Sequence, residues 1–264
     1  VLMLLVILSA VITVSVLIFL LAYILINGIP NLSLDLFAWK FTEDNQSMMP
    51  AIINTITMTA LVLLIAVPIG VFSAVYLVEY AKRGNKLVKI VRMTTETLSG
   101  IPSIVYGLFG YLMFTVSFQW GYSILGGAIT LAIMVLPVIM RTTEEALKAV
   151  PDLYREGSFG LGAGRLRTVF RVVLPPAVPG ILSGIILAIG RVTGETAALI
   201  FTAGTIAGVP DSLMDSGRTL AIHMYALLNE GLHMDKAYAT AVILLVMVVG
   251  INALSGFVGK KLQK

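Results

Sequence analysis

Charge is what this 264-residue sequence has least of. Asp, Glu, Lys and Arg together make up 12% of it, about half the roughly 25% of an ordinary soluble domain. So few charges cannot cover a water-exposed surface, which argues against a soluble globular enzyme. Cysteine is absent, so disulfides, thiolate catalysis and Cys-ligated metal sites are excluded. There is no heptad run and no low-complexity tract. What the chain has instead is apolar residues, 58% of the total with a mean hydropathy of +0.97, which excludes a disordered chain. These figures describe an integral membrane protein.

A helix needs about 20 apolar residues to cross roughly 30 Å of hydrocarbon. The uncharged runs supply six spans, at about residues 1–26, 51–78, 97–118, 123–140, 176–207 and 237–258. The run Thr97–Met140 is long enough for two of them, with Gln119-Trp120-Gly121-Tyr122 as the turn between. The first run has no basic segment before it and is longer than the apolar core of a cleaved leader, so it is read as a retained helix. Six crossings put both termini on one side, and the charges agree. Segments Glu79–Glu96, Arg141–Leu174 and Gly259–Lys264 hold 14 of the 18 Lys and Arg. The alternate segments hold Lys40, Arg218 and Lys236 against seven acids, Asp35, Glu43, Asp44, Asp211, Asp215, Glu230 and Asp235. Basic loops stay in the cytoplasm, so both termini are expected there.

No nucleotide site is legible. The only Gly-Lys, Gly259-Lys260, has neither the upstream Gly nor the following Ser or Thr of a phosphate-cradling loop. No zinc-protease or serine-hydrolase pattern occurs, and His223 and His233, in the acidic outer loop, read as solvated. The basic loop 141–174 carries more information. Pro151 suits a helix start, supported by Asp152 and Glu156, and Gly160, Gly162 and Gly164 would end that helix. A short basic helix with Arg165, Arg167 and Arg171 follows, stopped by Pro175-Pro176. Leu153, Phe159, Leu161, Val169 and Phe170 are its apolar knobs. Two readings fit: a helix pair that docks in the groove of a cytoplasmic partner, or a solvated loop that binds anionic headgroups.

The same loop carries a family pattern. Permeases of ABC importers have E-A-A-x3-G-x9-I-x-L-P where they dock on their ATPase. This chain has Glu156-Gly157-Ser158, three residues, Gly162, nine residues, then Val172-Val173-Leu174-Pro175. Gly157-Ser158 and Val172 depart from the pattern and keep its spacing. Gly100-Ile-Pro-Ser-Ile-Val-Tyr-Gly-Leu-Phe and Gly190-Arg-Val-Thr-Gly-Glu-Thr-Ala-Ala-Leu-Ile-Phe-Thr-Ala resemble the A-type permease of phosphate-specific (Pst) importers. The resemblance runs from about Ala51 to Gly256. It implies an all-α type I ABC importer permease fold of six transmembrane helices, with 141–174 as the cytoplasmic coupling loop. The coupling residues would be Arg155, Glu156, Gly162, Leu174 and Pro175. It also implies a second, paralogous permease, two cytoplasmic ATPase subunits that hold ATP and Mg, and an extracytoplasmic phosphate-binding protein. No cofactor is expected on this chain and no nucleic acid as partner; the location would be a bacterial or archaeal cell membrane.

Two charges lie inside the fifth span. Arg191 falls near the bilayer midplane, where a cation must face protein or water, and Glu195 is four residues on. They read either as an i,i+4 ion pair that holds the bundle or as a substrate pathway. For the pathway, Arg precedes Glu, the less favourable order for a helical pair, and a guanidinium offers two parallel donors to an oxyanion. Gly190 and Gly194 would let another backbone approach. Arg191 would then meet phosphate in transit while Glu195 orients it. Competing functions are a permease for another solute (sulfate, molybdate or an amino acid), an ATP-independent channel or carrier, and a scaffold without a pathway.

Overall fold

The computed structural model describes the backbone of residues 2–82 and 84–262, and the side chains of those residues as far as Phe257. Of the basic residues counted above, Arg83, Lys260, Lys261 and Lys264 have side chains outside that set.

Eleven α-helices follow one another among the described residues: α1 Leu2–Gly28, α2 Met49–Val75, α3 Lys86–Ser99, α4 Ser103–Gly110, α5 Ile124–Lys148, α6 Asp152–Gly160, α7 Arg165–Thr168, α8 Leu174–Thr193, α9 Ala197–Thr202, α10 Leu220–Glu230 and α11 Met234–Leu262. Five helical stretches are long and apolar enough to cross a membrane, or six if the bent pair α3–α4 counts as one. Helices α2, α5 and α8 form the centre. Met58, Val62 and Ala66 of α2 interdigitate with Ala128, Leu131, Val135 and Ile139 of α5 and Ala188 and Val192 of α8. Small residues bring these axes together. A Cβ on Gly70 would lie 2.7 Å from Ile139, and one on Gly180 would lie 2.6 Å from Ala146. Without a hydrophobic drive between helices in lipid, such close approach is a main source of association. Helix α1 packs along α11, where Gly28 meets the backbone of Tyr238, and most of its described residues are exposed.

Helix α5 shows how polar groups are satisfied where water is scarce. Its first four amides have no helical partner. Ile124 N–H donates to Asp215 O (3.0 Å) and Leu125 N–H to Leu213 O (2.8 Å), while Ser123 accepts from Gly126 through Oγ (3.1 Å) and from Gly127 through its carbonyl (3.0 Å). The loop beyond α9 thus caps α5. Threonine hydroxyls within the spans bond the carbonyl four residues back, as Thr55, Thr59 and Thr130 do.

Several expectations need correction. The third span, placed at about 97–118, is bent and is led by α3 from Lys86. Helix α3 and the stretch Ser103–Ser117 meet at 105°, because Pro102 has no amide to continue a helix and forces its predecessor toward extended backbone. Tyr106 Oη donates to Leu98 O (2.8 Å) and pins the corner. Nor is 79–96 merely a loop, since α3 occupies most of it.

The fifth span starts earlier than 176 and does not run unbroken to 207. Pro175-Pro176 do not stop the basic helix. A wide π turn over Val169–Val173 carries α7 into α8, and the prolines sit in the first turn of α8, where a missing N–H costs little. Helix α8 then ends at Thr193. Finally, the outer segment 208–236 contains α10, and His223 is not solvated: it is 0% exposed, in T-shaped contact with Phe41. Burial and the nearby Arg218 cation push its pKa down to about 3.

Candidate functional site

Three contacts fix the register of the fifth span on α5: Gly180 against Ala146, Gly184 against Thr142, and Leu199 against Gly127. The same offset sets Arg191 opposite Val135, near the middle of α5, two residues before α8 ends. Gly194 caps α8, Glu195 N–H donates to Val192 O (3.2 Å), and α9 begins at Ala197. Irregular backbone at membrane depth is tolerated where it is enclosed by protein or lines a water-filled cavity.

The break changes the role of each charge. Glu195 no longer shares a helix face with Arg191, and no ion pair joins them among the described residues. Its buried carboxylate accepts instead from Ala198 N–H (3.1 Å) at the start of α9, where helix ends favour an anion. Arg191 is half-buried in the last turn of α8, where helix ends favour a cation. Each charge therefore lies at a helix terminus of favourable sign, and Arg191 has no ion pair among the described residues. Ser183, Leu187 and Gly194 are exposed and Gly190 half-buried on one stripe of α8, and Arg191 lies at its edge. Among the described residues, a Cβ on Gly190 would meet only Asn252, at 3.9 Å, and one on Gly194 only its own helix, so none of them uses the approach these glycines permit.

One neighbour escaped the sequence reading. Asn252, in the uncharged last span, has a buried Oδ1 without a hydrogen-bond partner among the described residues; an amide inside an apolar run was the available signal. Gly107 holds the break in place, since a Cβ there would lie 2.7 Å from Ala198 Cα and 3.0 Å from Ala198 O.

At the basic end, α6 stands out from the bundle. Pro151 caps its start, and its end is a complete Schellman motif. Gly162 N–H donates to Phe159 O (2.9 Å) and Ala163 N–H to Ser158 O (3.1 Å), with Gly162 at φ +81°. Ser158, a departure from the family pattern, shares a hydrogen bond with Thr168 Oγ1 (2.8 Å) and ties α6 to α7. Glu156 is exposed, as are Leu153, Phe159, Leu161 and Phe170, with Leu161 at 92%. Val169, expected among these knobs, is buried with Val75 and Leu147, and Leu166 is exposed in its place. Leu174 packs against the same cluster, and Pro175 lies exposed in the first turn of α8.

Arg155 points inward. Its Nη2 donates to Glu79 Oε1 (2.7 Å) and to Leu147 O (2.8 Å), and its Nη1 to Val150 O (2.7 Å) and Asp152 Oδ1 (3.1 Å). The hydrogen bonds to Glu79 raise its pKa against the opposing pull of burial. One side chain thus bolts α6 to the end of α5 and to Tyr76–Tyr80, a second wide turn that follows α2. Glu79 was not among the candidates, because its partner lies 76 residues away. Among the described residues no group of three or more His, Cys, Asp or Glu is placed to hold a metal ion.

Residues 66–264 match the family described as binding-protein-dependent transport system inner membrane component. A Bacillus subtilis (strain 168) protein, YqgI, described as a probable ABC transporter permease, is 35% identical over 97% of this chain and 93% of its own length. The phosphate transport system permease PstA of Pasteurella multocida (strain Pm70) is 41% identical over 67% of this chain and 63% of its own. Among solved structures, a bacterial alginate ABC transporter in complex with its alginate pentasaccharide-bound periplasmic protein aligns at a TM-score of 0.69. It is 16% identical, over 97% of this chain and 95% of that one. The MetNI methionine ABC transporter, in an inward-facing conformation, aligns at 0.64 with 20% identity, over 81% and 94%. At these identities the structural likeness is one of fold.

Proposed function

The chain belongs to the family of binding-protein-dependent inner-membrane transport components, and from that premise we propose that the solute it passes is inorganic phosphate. It is a multi-pass ABC-importer permease subunit, a transport component and not a nucleotide-hydrolysing enzyme. The observation that carries the cargo reading is Arg191: a half-buried guanidinium beside a break in its span, with no carboxylate paired to it among the described residues. An obligate cation with parallel donors suits an oxyanion that must be held briefly and released. The relatives named for phosphate transport support the same cargo.

In this reading the open stripe of α8 faces a second, paralogous permease, and the oxyanion passes between the two. Glu195 serves by capping α9 and so fixing the break that presents Arg191. The basic end lies in the cytoplasm with both termini. There α6 docks on one of two ATPase subunits, which hold ATP and Mg. Glu156 and the exposed apolar residues make that contact, Gly162 shapes it, Arg155 anchors it, and Leu174 and Pro175 join it to α8. An extracytoplasmic phosphate-binding protein delivers the solute to the acidic end.

The test is ATP-dependent uptake of radiolabelled phosphate by the full complex in liposomes. Arg191→Lys and Arg191→Gln are expected to abolish uptake while the complex assembles and hydrolyses ATP normally. Wild-type uptake in both variants would refute the role. A complex that imports sulfate or molybdate in preference to phosphate would refute the cargo.

A further inference from the structure

A cavity of about 1050 Å3 opens at the basic end, between the wide turn after α2, helix α3 and the α6–α7 segment. Its wall is cationic beyond what its acids neutralise. Arg155 is matched by Glu79 and Asp152, while Arg92 and Lys148 share Glu144, at 3.1 and 2.8 Å. Lys82, Lys86, Lys89 and Arg165 then remain without an ion pair among the described residues. Only Glu96 is left in the wall to oppose them. Arg165 is placed over the Tyr80 ring, 5.5 Å from its centre.

Helix α3 adds an independent observation. It turns one side, through Val88, toward α5 and leaves Leu87, Ile90 and Met93 more than half exposed along another. It is bent 105° from the stretch it leads into. An amphipathic helix so oriented lies in the membrane interface with its apolar stripe among acyl chains. At 100° per residue, Lys89 falls between Met93 and the side that faces the cavity, and Lys86 between Met93 and Ile90, at the stripe's edge nearest the cavity. Acyl chains along the stripe would bring a headgroup to the cavity mouth.

We propose that this cavity binds a phosphate group, carried by an anionic phospholipid headgroup or by free inorganic phosphate, with Lys86, Lys89 and Arg165 as its ligands. Because Arg165 belongs to α7, which the Ser158–Thr168 hydrogen bond ties to α6, the bound anion joins α3 to the α6–α7 segment and steadies the docking helix. The site stands apart from Arg191 and is independent of the cargo that crosses the membrane.

The two sources are separable with the full chain in nanodiscs. One arm compares neutral phosphatidylcholine with mixtures containing phosphatidylglycerol, without free phosphate. The other titrates inorganic phosphate into phosphatidylcholine nanodiscs. Hydrogen exchange over 86–93 and 152–160 reports occupancy, and native mass spectrometry counts retained lipids. Protection of both segments is expected to rise saturably in at least one arm. Lys86→Gln and Lys89→Gln, both at exposed positions, are expected to weaken binding about fivefold each, and Lys86→Arg to restore it. A response confined to phosphatidylglycerol assigns a lipid headgroup, and one to inorganic phosphate assigns the free ion. No response in either arm, or one indifferent to both substitutions, would overturn the site. So would a loss of ATPase docking in the variants with both arms flat, which would give the cavity to a protein partner.

Discussion

Removing Arg155 puts the mechanical link between the docking helix and the bundle to a direct test. Arg155→Ala leaves the Glu79 carboxylate, 8% exposed, without its cation, and strips donors from Leu147 O and Val150 O at the end of α5. Breaking one side of a buried pair costs about 3–5 kcal/mol. The loss falls on α6 and not on the whole bundle, since α6 is exposed on its far side and can undock while α2, α5 and α8 stay packed. At about 1.4 kcal/mol per tenfold, amides of 152–160 should exchange roughly 10²–10³-fold faster. In the assembled transporter, ATP hydrolysis should persist and uptake should fall. A double-mutant cycle with Glu79→Gln isolates the pair: a coupling above about 1.5 kcal/mol is expected for groups in contact. Unchanged exchange over 152–160, or additivity of the two substitutions within about 0.5 kcal/mol, would refute the reasoning.

Other outcomes follow from single positions. Gly107→Ala drives a methyl into the backbone of Ala197 and Ala198, which cannot rotate away; a loss of about 1–3 kcal/mol should appear as a lower Tm. The control Gly250→Ala meets open space in mid-helix and should be neutral or gain up to about 1 kcal/mol. His223 titrates near 6.5 when unfolded and at about 3 when folded, so the unfolded state takes up a proton first as pH falls. Its stabilisation is full above about pH 6.5 and fades toward pH 3 by about 1.4 kcal/mol per unit. Melting between pH 7 and pH 5 should therefore show about 2 kcal/mol lost in the wild type, and a correspondingly flatter profile in His223→Gln. Equal slopes would show that His223 does not carry the effect.

Charge and hydropathy along the chain were enough to find the bundle, because lipid rejects ionisable groups and the uncharged runs have few other places to go. The spacing around Gly162 was equally legible, since a left-handed cap needs glycine at one position and its bonds close within the same loop. Other features needed partners distant in the chain. Nothing local distinguishes Glu79 from any loop acid until Arg155 arrives 76 residues later. His223 reads as solvated until Phe41 and Arg218 close over it. Sequence order could not tell that Arg191 and Glu195 part company. A regular helix would pair them; the backbone yields at Gly194, and each charge takes the helix end nearest to it. Apolar pattern and local turn chemistry are written residue by residue, whereas the pairing of charges depends on which ends of which helices the packing brings together.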